Sequence, residues 1–280
     1  SADRISSIGD LSDFHIGLCN FASATKLKEI ILGSEREGYE NTHLRNFRAG
    51  SSTVLKEVNL SNCTSLAMEI NLSGCPNLQI FKAGGSAITG VSFARNARLH
   101  TCVIPNSVSV LSLLDLQYLT KEKLVVEPDS DGKYTFTGIR LENCPSVPFY
   151  DLIINSKNLR YLRLRGLDWH TTLGAADSSE PCFMAFYEKI KTLGRINEDN
   201  TQENYSEENN IYAHIAGKIY LEEEIDPKLL EEVNEKFPEL TLIIKGAPRY
   251  FLTFKNFNNE VICRYVASEG SKPLDPTKVQ

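Results

Sequence analysis

The residues best suited to binding chemistry in this sequence are three arginines in one short alternating run. Arg160, Arg163 and Arg165 are interleaved with tyrosine and leucine in the run RYLRLR. Because successive residues of a strand point to opposite faces, we expect the arginines and the leucines to face opposite ways. Arg140 lies 23 residues before Arg163, about one sequence repeat, and should stand beside it.

Two further residues complete this candidate surface. Asp168 and Trp169 follow the run at the predicted exit of the strand. An arginine ladder beside an exposed tryptophan can bind an anionic or glycan partner. The alternative interpretation is a solvated strand face on which the arginines form ion pairs with Glu142. The predicted binding patch consists of Arg140, Arg160, Arg163, Arg165, Asp168 and Trp169.

Signatures of catalysis or metal binding are missing from the rest of the sequence. The five histidines lie outside HExxH, and there is no CxxC pair, P-loop, GxSxG elbow or GxGxxG fingerprint. Gly84-Gly85-Ser86 could cradle a phosphate, but glycines are equally expected at a turn that leaves a strand. The adjacent acids of Glu222–Glu224 do not supply the facing carboxylates of a glycosidase. We predict no catalytic residue, no metal site and no cofactor.

Three of the seven cysteines end copies of one motif. Segment 55–63 (LKEVNLSNC) fits the template LxxLxLxxN/C, and segments 70–75 and 139–144 fit its later half; this template is typical of leucine-rich repeats. We expect Cys63, Cys75 and Cys144 to be small buried residues near a turn, where asparagine otherwise satisfies backbone groups, as at Asn96. Ligand or redox chemistry is the alternative for these thiols.

Two interleaved series of apolar positions define the period. One series is 49, 72, 93, 113, 141 and 164, and the other is 32, 60, 83, 104, 126 and 154. The steps cluster near about 22 residues, within the range of leucine-rich repeats. The pattern predicts a solenoid with a short strand on each of two faces of every coil and insertions at 33–43 and 128–132. Because one coil cannot bury its apolar row alone, the coils must share one core.

Different elements are predicted after the repeats. Ser179 and Pro181 are typical of a helix start, and apolar residues at helical spacing continue to Leu193. We expect this helix to cap the solenoid, although its apolar stripe could instead meet a partner helix. The acidic segment 197–210 is predicted to be a loop, and it lacks the residue order of a calcium site.

The C-terminal part is predicted to contain two β-structured units. A strand at 211–220, a helix at 226–236 and a strand at 240–245 read as a βαβ unit. Alternating apolar residues at 250–254 and 261–265 flank a turn at 258–259, which predicts a hairpin.

The predicted fold class is α+β: a leucine-rich-repeat-like solenoid with short strands on two faces, a helical cap, a βαβ end unit and a C-terminal β-hairpin. The predicted domains are the solenoid at 1–175, the cap, acidic loop and βαβ unit at 176–246, and the hairpin at 247–280.

Composition limits the function classes. The chain has 280 residues, 41% of them hydrophobic, and a formal charge of −6. The acidic balance argues against a nucleic-acid partner, and the lack of a long apolar run argues against membrane insertion. The sequence starts at Ser1 rather than methionine and stops after a proline-rich turn, so we expect a piece of a longer polypeptide.

The order of these motifs resembles leucine-rich-repeat virion structural proteins, tail or tail-fibre components, of phages of gut bacteria. The resemblance starts at about Leu11 and is carried by the runs at 55–66, 70–93 and 99–113, GKIY at 217–220, PELTLI at 238–243 and YFLTF at 250–254. Segment 264–276 also resembles the β-grasp-like B-repeat of internalins, so the hairpin would start such a module. The resemblance implies no catalytic residues.

These observations lead to three hypotheses. The first is a non-enzymatic module of a phage virion, in the tail or tail fibre, whose partners are other virion proteins or a host-surface receptor or glycan; homo-oligomerisation in the particle stays open. The second is a bacterial cell-surface leucine-rich-repeat adhesin, because Ile104–Val108 (IPNSV) matches the IPxSV-like turns of adhesin repeats. The third is a carbohydrate-active enzyme.

Overall fold

The computed structural model describes residues 7–8, 16–36, 38–173, 182–195, 212–221, 225–244, 249–255 and 261–268. For 7–8, 167–173, 194–195, 212, 244, 249–255 and 261–268 it describes the backbone alone. Four predictions lie outside these residues: the helix start at Ser179 and Pro181, the acidic loop at 197–210, the role of Glu222–Glu224, and the hairpin turn at 258–259.

Short parallel strands alternate along the chain between two sheets. The first sheet contains, in spatial order, β1 (Ser7–Ile8), β3 (Glu29–Ile31), β5 (Glu57–Asn59), β7 (Ile80–Lys82), β9 (Thr101–Ile104) and β11 (Leu124–Val126). The second sheet contains β6 (Glu69–Asn71), β8 (Gly90–Ala94), β10 (Val110–Leu114), β12 (Gly138–Glu142) and β13 (Tyr161–Leu173). A separate parallel pair is formed by β2 (Leu18–Asn20) and β4 (Asn46–Arg48).

The two predicted series of apolar positions fall mainly on these two sheets. Positions 72, 93, 113, 141 and 164 belong to or directly follow strands of the second sheet, and 32, 60, 83, 104 and 126 do so in the first. The result is a mixed fold with parallel sheets and few helices, in which the repeated short strands are compatible with a solenoid.

The last position of the second series is an exception, because residue 154 ends a helix. Helix α1 (Phe149–Ile154) follows Pro148 and buries Phe149, Leu152 and Ile153. These three residues have the i, i+3, i+4 spacing of a helix face, so a strand here was the wrong prediction. The side chains reach the core from a helix rather than from a strand.

One continuous core lies between the sheets. Leu60, Leu72, Ala83, Phe93 and Ile104 are each 0% exposed and belong to the same apolar cluster. These five residues come from successive strands of alternating sheets. No single repeat encloses them, so the units depend on their neighbours for burial.

The second sheet continues beyond the repeats. Strand β15 (Tyr212–Leu221) pairs in parallel with β13, and β14 (Gly194–Arg195) and β16 (Leu240–Ile244) both pair with β15. Helix α3 (Pro227–Lys236) connects β15 to β16 and begins after Asp226, whose side chain accepts a hydrogen bond from the backbone NH of Lys228 at 2.7 Å. The predicted strand–helix–strand unit is therefore confirmed, and the sheet crosses the predicted boundary at 175/176.

Helix α2 (Phe183–Ile190) follows Cys182 and ends three residues before the predicted end at Leu193. The predicted apolar face is buried nonetheless: Phe183, Phe186, Tyr187, Ile190 and the following Leu193 belong to the core cluster. Phe186 contacts Phe149 of α1 edge-on, with ring centroids 5.8 Å apart. Helix α2 thus packs on α1, the helix found where a strand was predicted.

The C-terminal strands form the predicted hairpin. Strands β17 (Arg249–Lys255) and β18 (Val261–Ser268) pair antiparallel, with Tyr250 opposite Ala267 and Leu252 opposite Tyr265. In the part of the chain that is described, no helix is long and apolar enough to cross a membrane.

Candidate functional site

The predicted neighbourhood of Arg140 and Arg163 is confirmed by the strand register. The two residues are direct partners on the parallel strands β12 and β13. Leu162 and Leu164, which flank Arg163 on β13, are 0% exposed and face the core. The alternation RYLRLR therefore places the arginine at 163 on the outward face, because the leucines occupy the inward one.

Glu142 lies between the two arginines. Its Oε1 accepts a hydrogen bond from Nε of Arg140 at 2.8 Å and lies 3.2 Å from Nε of Arg163. Nε of Arg163 is buried and makes no hydrogen bond within the described part of the chain. One carboxylate thus offsets the repulsion between two guanidinium groups, and the ion pairs that the solvated-face interpretation requires are present.

The other two arginines differ in position. Arg165 lies opposite Glu142 in the register and is exposed. Arg160 is also exposed, but it precedes β13, and its backbone NH bonds the carbonyl of Thr137 at 2.8 Å. Position 160 is an odd number of residues from 163 and 165, so strand alternation would not place Arg160 on their face. The prediction that all three arginines share one strand face is therefore wrong for Arg160.

Asp168 and Trp169 lie inside β13 rather than at its exit. Gly166 adopts a left-handed backbone (φ +62°) beside a register shift, and the strand continues through it to Leu173. A Cβ at Gly166 would lie 2.0 Å from Oδ1 of Asn143, so a side chain there would clash. Asp168 and Trp169 pair with Lys218 and Ile219 of β15, and their side chains are outside the described atoms.

An aromatic ring lies over Gly138, two residues before Arg140 on β12. A Cβ at Gly138 would lie 2.0 Å from two ring atoms of Tyr161, its partner on β13, so the tyrosine ring covers the glycine backbone. Tyr161 is 6% exposed. The ring occupies the space that a side chain at position 138 would take.

The register extends the arginine pair into a row across six neighbouring strands of the second sheet, from β6 to β15. Each member is the direct partner of the next on neighbouring parallel strands, and all are at least partly exposed. We call this set the polar row: Asn71, Ser92, Ser112, Arg140, Arg163 and His214.

Sequence reasoning identified only two members of the polar row. The signal for three others was available, since 71, 92, 112, 140 and 163 each precede by one residue a position of the predicted apolar series. His214 had no such signal because its strand follows the acidic segment. His214 Nε2 lies 3.2 Å from Oε1 of Glu239.

The template residues have the packing role that the sequence predicted. Nδ2 of Asn96 donates to the carbonyls of Leu72 at 2.9 Å and Cys75 at 2.6 Å. Cys144 Sγ lies 3.3 Å from the carbonyl of Leu113. Burial raises the pKa of the Cys144 thiol to about 12, so this group is a neutral donor rather than a thiolate.

The same arrangement holds for Cys63. Its Sγ lies 3.8 Å from the carbonyl of Leu32, which Nδ2 of Asn41 also bonds at 2.9 Å. Burial raises the pKa of Cys63 to about 12. The six cysteines whose side chains are described are all buried.

The glycine turn at Gly84-Gly85 already holds an anionic group of the protein. The backbone NH of Gly85, which has a φ of +66°, donates to Oε2 of Glu127 at 2.9 Å. A Cβ at Gly84 would lie 2.6 Å from the other carboxylate oxygen. The turn after β7 thus binds the carboxylate of Glu127, which directly follows β11.

Acidic residues of the turn at 128–132 surround a lysine. Lys157 Nζ lies 2.6 Å from Asp129 Oδ2 and also pairs with Asp131. Among the residues with described side chains, no group of three or more His, Cys, Asp or Glu residues could hold a metal ion.

Known proteins do not identify the chain. No protein-family model matches it, and no curated protein and no solved structure matches it either.

Proposed function

We propose that this chain is a non-enzymatic interaction module of a phage virion, built on a leucine-rich-repeat-like solenoid and located in the tail or tail fibre. The observation that carries the interaction role is the polar row. It joins outward residues of six successive strands of one sheet into one surface.

The solenoid part of the proposal is supported by the alternation of strands. From β5 to β12, strands that follow each other in the chain go to opposite sheets, and strands two apart pair in parallel. The Asn96 side chain bonds carbonyl groups of the preceding repeat, as a stacked repeat requires. Such a stack presents a long rigid face, which suits binding of an extended partner.

The virion part of the proposal is supported by the motif order that resembles phage tail proteins. Mass spectrometry of phage particles purified from the source culture tests it. We expect the polypeptide in particles, and antibody labelling at the tail in electron micrographs. Its presence only in bacterial membranes, never in particles, contradicts the proposal.

A bacterial surface adhesin is the second candidate, and the turn Ile104–Val108 favours it. Ser107 Oγ donates to the carbonyls of Ser86 at 2.9 Å and Ile88 at 2.8 Å, so the IPxSV-like turn is tied to the preceding repeat. The full-length gene discriminates between the candidates. An export signal and a cell-wall anchor favour the adhesin, and neighbouring terminase, portal and tail genes favour the virion protein.

A further inference from the structure

We propose that the polar row binds a linear acidic oligosaccharide that lies across the strands, with its acid groups on Arg140 and Arg163 and its hydroxyls on the neutral end of the row. This inference rests on the interaction role proposed above and assigns a ligand class to it.

The geometry of the row suits an extended ligand. Neighbouring strands in a sheet are about 4.8 Å apart, so six register partners span about 24 Å. The side chains of Arg140, Arg163 and His214 are 32%, 23% and 26% exposed, so they are partly buried but still accessible to a ligand. A chain of sugar units can follow such a track and contact each strand in turn.

The cationic end of the row can bind acid groups without losing its internal ion pair. Arg140 bonds Glu142 through Nε, and its terminal amino groups make no hydrogen bond to any described residue. The terminal amino groups of Arg163 also make no hydrogen bond to any described residue, and its Nε lies 3.2 Å from Oε1 of Glu142. A guanidinium presents its donors in a planar fork that matches a carboxylate or sulfate. Glu142 therefore orients the two forks, and their outer edges stay available.

The neutral end of the row favours a sugar over an acidic peptide. Ser92 and Ser112 are partly buried, and their hydroxyls make no hydrogen bond within the described residues. Oδ1 of Asn71 accepts from the backbone NH and the hydroxyl of Ser73 at 3.0 and 2.7 Å, which leaves its amide donors. Two hydroxyls and an amide in line match the hydroxyls of a sugar chain, whereas an acidic peptide needs cationic partners along its length.

Titration calorimetry on the full chain tests the inference. The probes are oligoguluronate as the acidic sugar, maltohexaose as the neutral sugar and oligoglutamate as the acidic peptide. The variants are Arg163→Gln for the cationic end and the double change Ser92→Ala with Ser112→Ala for the neutral end. Arg98→Gln, at an exposed arginine in the segment between β8 and β9, is the matched charge control.

We expect oligoguluronate to bind, Arg163→Gln to weaken binding about tenfold, and the double serine variant to weaken it about threefold to tenfold. Arg98→Gln should leave the affinity within about twofold. The serine variant should not change the weaker binding of oligoglutamate. Circular dichroism and the unfolding midpoint show whether each variant retains its fold.

Three results overturn the inference. Equal binding of oligoguluronate and oligoglutamate, both insensitive to the serines, assigns the row to acidic peptides or to charge alone. Equal effects of Arg163→Gln and Arg98→Gln, or no binding of the acidic sugar, remove the row as its site. None of these results bears on whether the protein is found in virions. A failure of this inference can therefore be distinguished from a failure of the proposed function.

Discussion

Arg140 and Arg163 stand directly opposite each other on parallel strands, and their Nε atoms lie 2.8 and 3.2 Å from the same oxygen of Glu142. Two like charges at the spacing of neighbouring strands are thereby held around one carboxylate. This arrangement keeps both cations on the outward face of the sheet.

Replacement of the shared carboxylate tests this arrangement. We expect Glu142→Gln to lower the free energy of unfolding by about 1 kcal/mol, since the three side chains are partly exposed and solvent screens their charges. The same change should tighten oligoguluronate binding a few-fold, because it removes a negative charge beside the two arginines that repels the acid groups. Chemical denaturation and calorimetry measure the two effects. Glu29→Gln, at an exposed strand residue of the first sheet, is the control; an equal response of both variants contradicts the arrangement.

The contact between Phe81 and Phe93 joins the two sheets. Both rings are 0% exposed, and their centroids are 5.2 Å apart in an edge-to-face arrangement. We expect Phe81→Ala and Phe93→Ala each to cost about 3–5 kcal/mol of unfolding free energy, because each leaves a cavity in the shared core. Urea denaturation of the double variant should show a loss smaller than the sum of the two single losses. Strict additivity would mean that the rings do not support each other.

Asn96 and Asn77 make the same kind of hydrogen bond, one inside the core and one near solvent. Both amides donate to carbonyls of an earlier segment, Asn96 in the buried core and Asn77 to Thr53 at 2.6 Å near solvent. Asn96→Ala should cost about 1–3 kcal/mol, since carbonyls inside the protein lose a donor that water cannot replace. Asn77→Ala should cost less than about 1 kcal/mol because water can replace its bond. Equal unfolding midpoints for the two variants contradict a stacking role for Asn96.

Buried thiols make stability fall at alkaline pH. The pKa of Cys63 and of Cys144 is about 12 in the folded protein and near 9.0 in a solvated chain. Between these values the unfolded state releases the thiol protons and the folded state does not. Stability is therefore full below pH 9 and declines as the pH rises from 9 to 12. Denaturation midpoints across this range should fall less steeply for Cys63→Ala with Cys144→Ala than for the native chain; parallel curves would contradict the assigned burial.

Gly138 makes room for the Tyr161 ring. Gly138→Ala should cost about 1–3 kcal/mol because the new methyl group overlaps ring atoms that lie 2.0 Å from the Cβ position. In a Tyr161→Ala background the same change should cost almost nothing. Thermal unfolding of the four proteins of this cycle measures the coupling. A cost of Gly138→Ala that persists without the ring would show that the backbone, not the tyrosine, requires glycine.

Local spacing predicted the features that depend on near neighbours in the chain. The apolar series placed Leu60, Leu72 and Phe93 in one core, and the template predicted the bonds of Asn96. The step of 23 residues placed Arg140 beside Arg163. A repeat fixes such contacts because equivalent residues of adjacent units must coincide when their apolar rows stack.

Features that depend on distant segments or on backbone geometry were not predictable. Helix α1 replaces a strand because Phe149, Leu152 and Ile153 fill the space beside α2, and a short apolar run fits either structure. The continuation of β13 past Gly166 depends on β15, which pairs with both halves of the strand.

The sequence by itself determined the period, the inward apolar rows and the buried template residues, because these follow from spacing within one or two repeats. Only the tertiary structure decided that His214 joins the polar row and that Glu142 lies between the two arginines. Both relationships depend on strand register and side-chain direction. The register of β15 on β13 is set by how the buried faces pack, because the repeat spacing that predicted Arg140 beside Arg163 does not extend to His214.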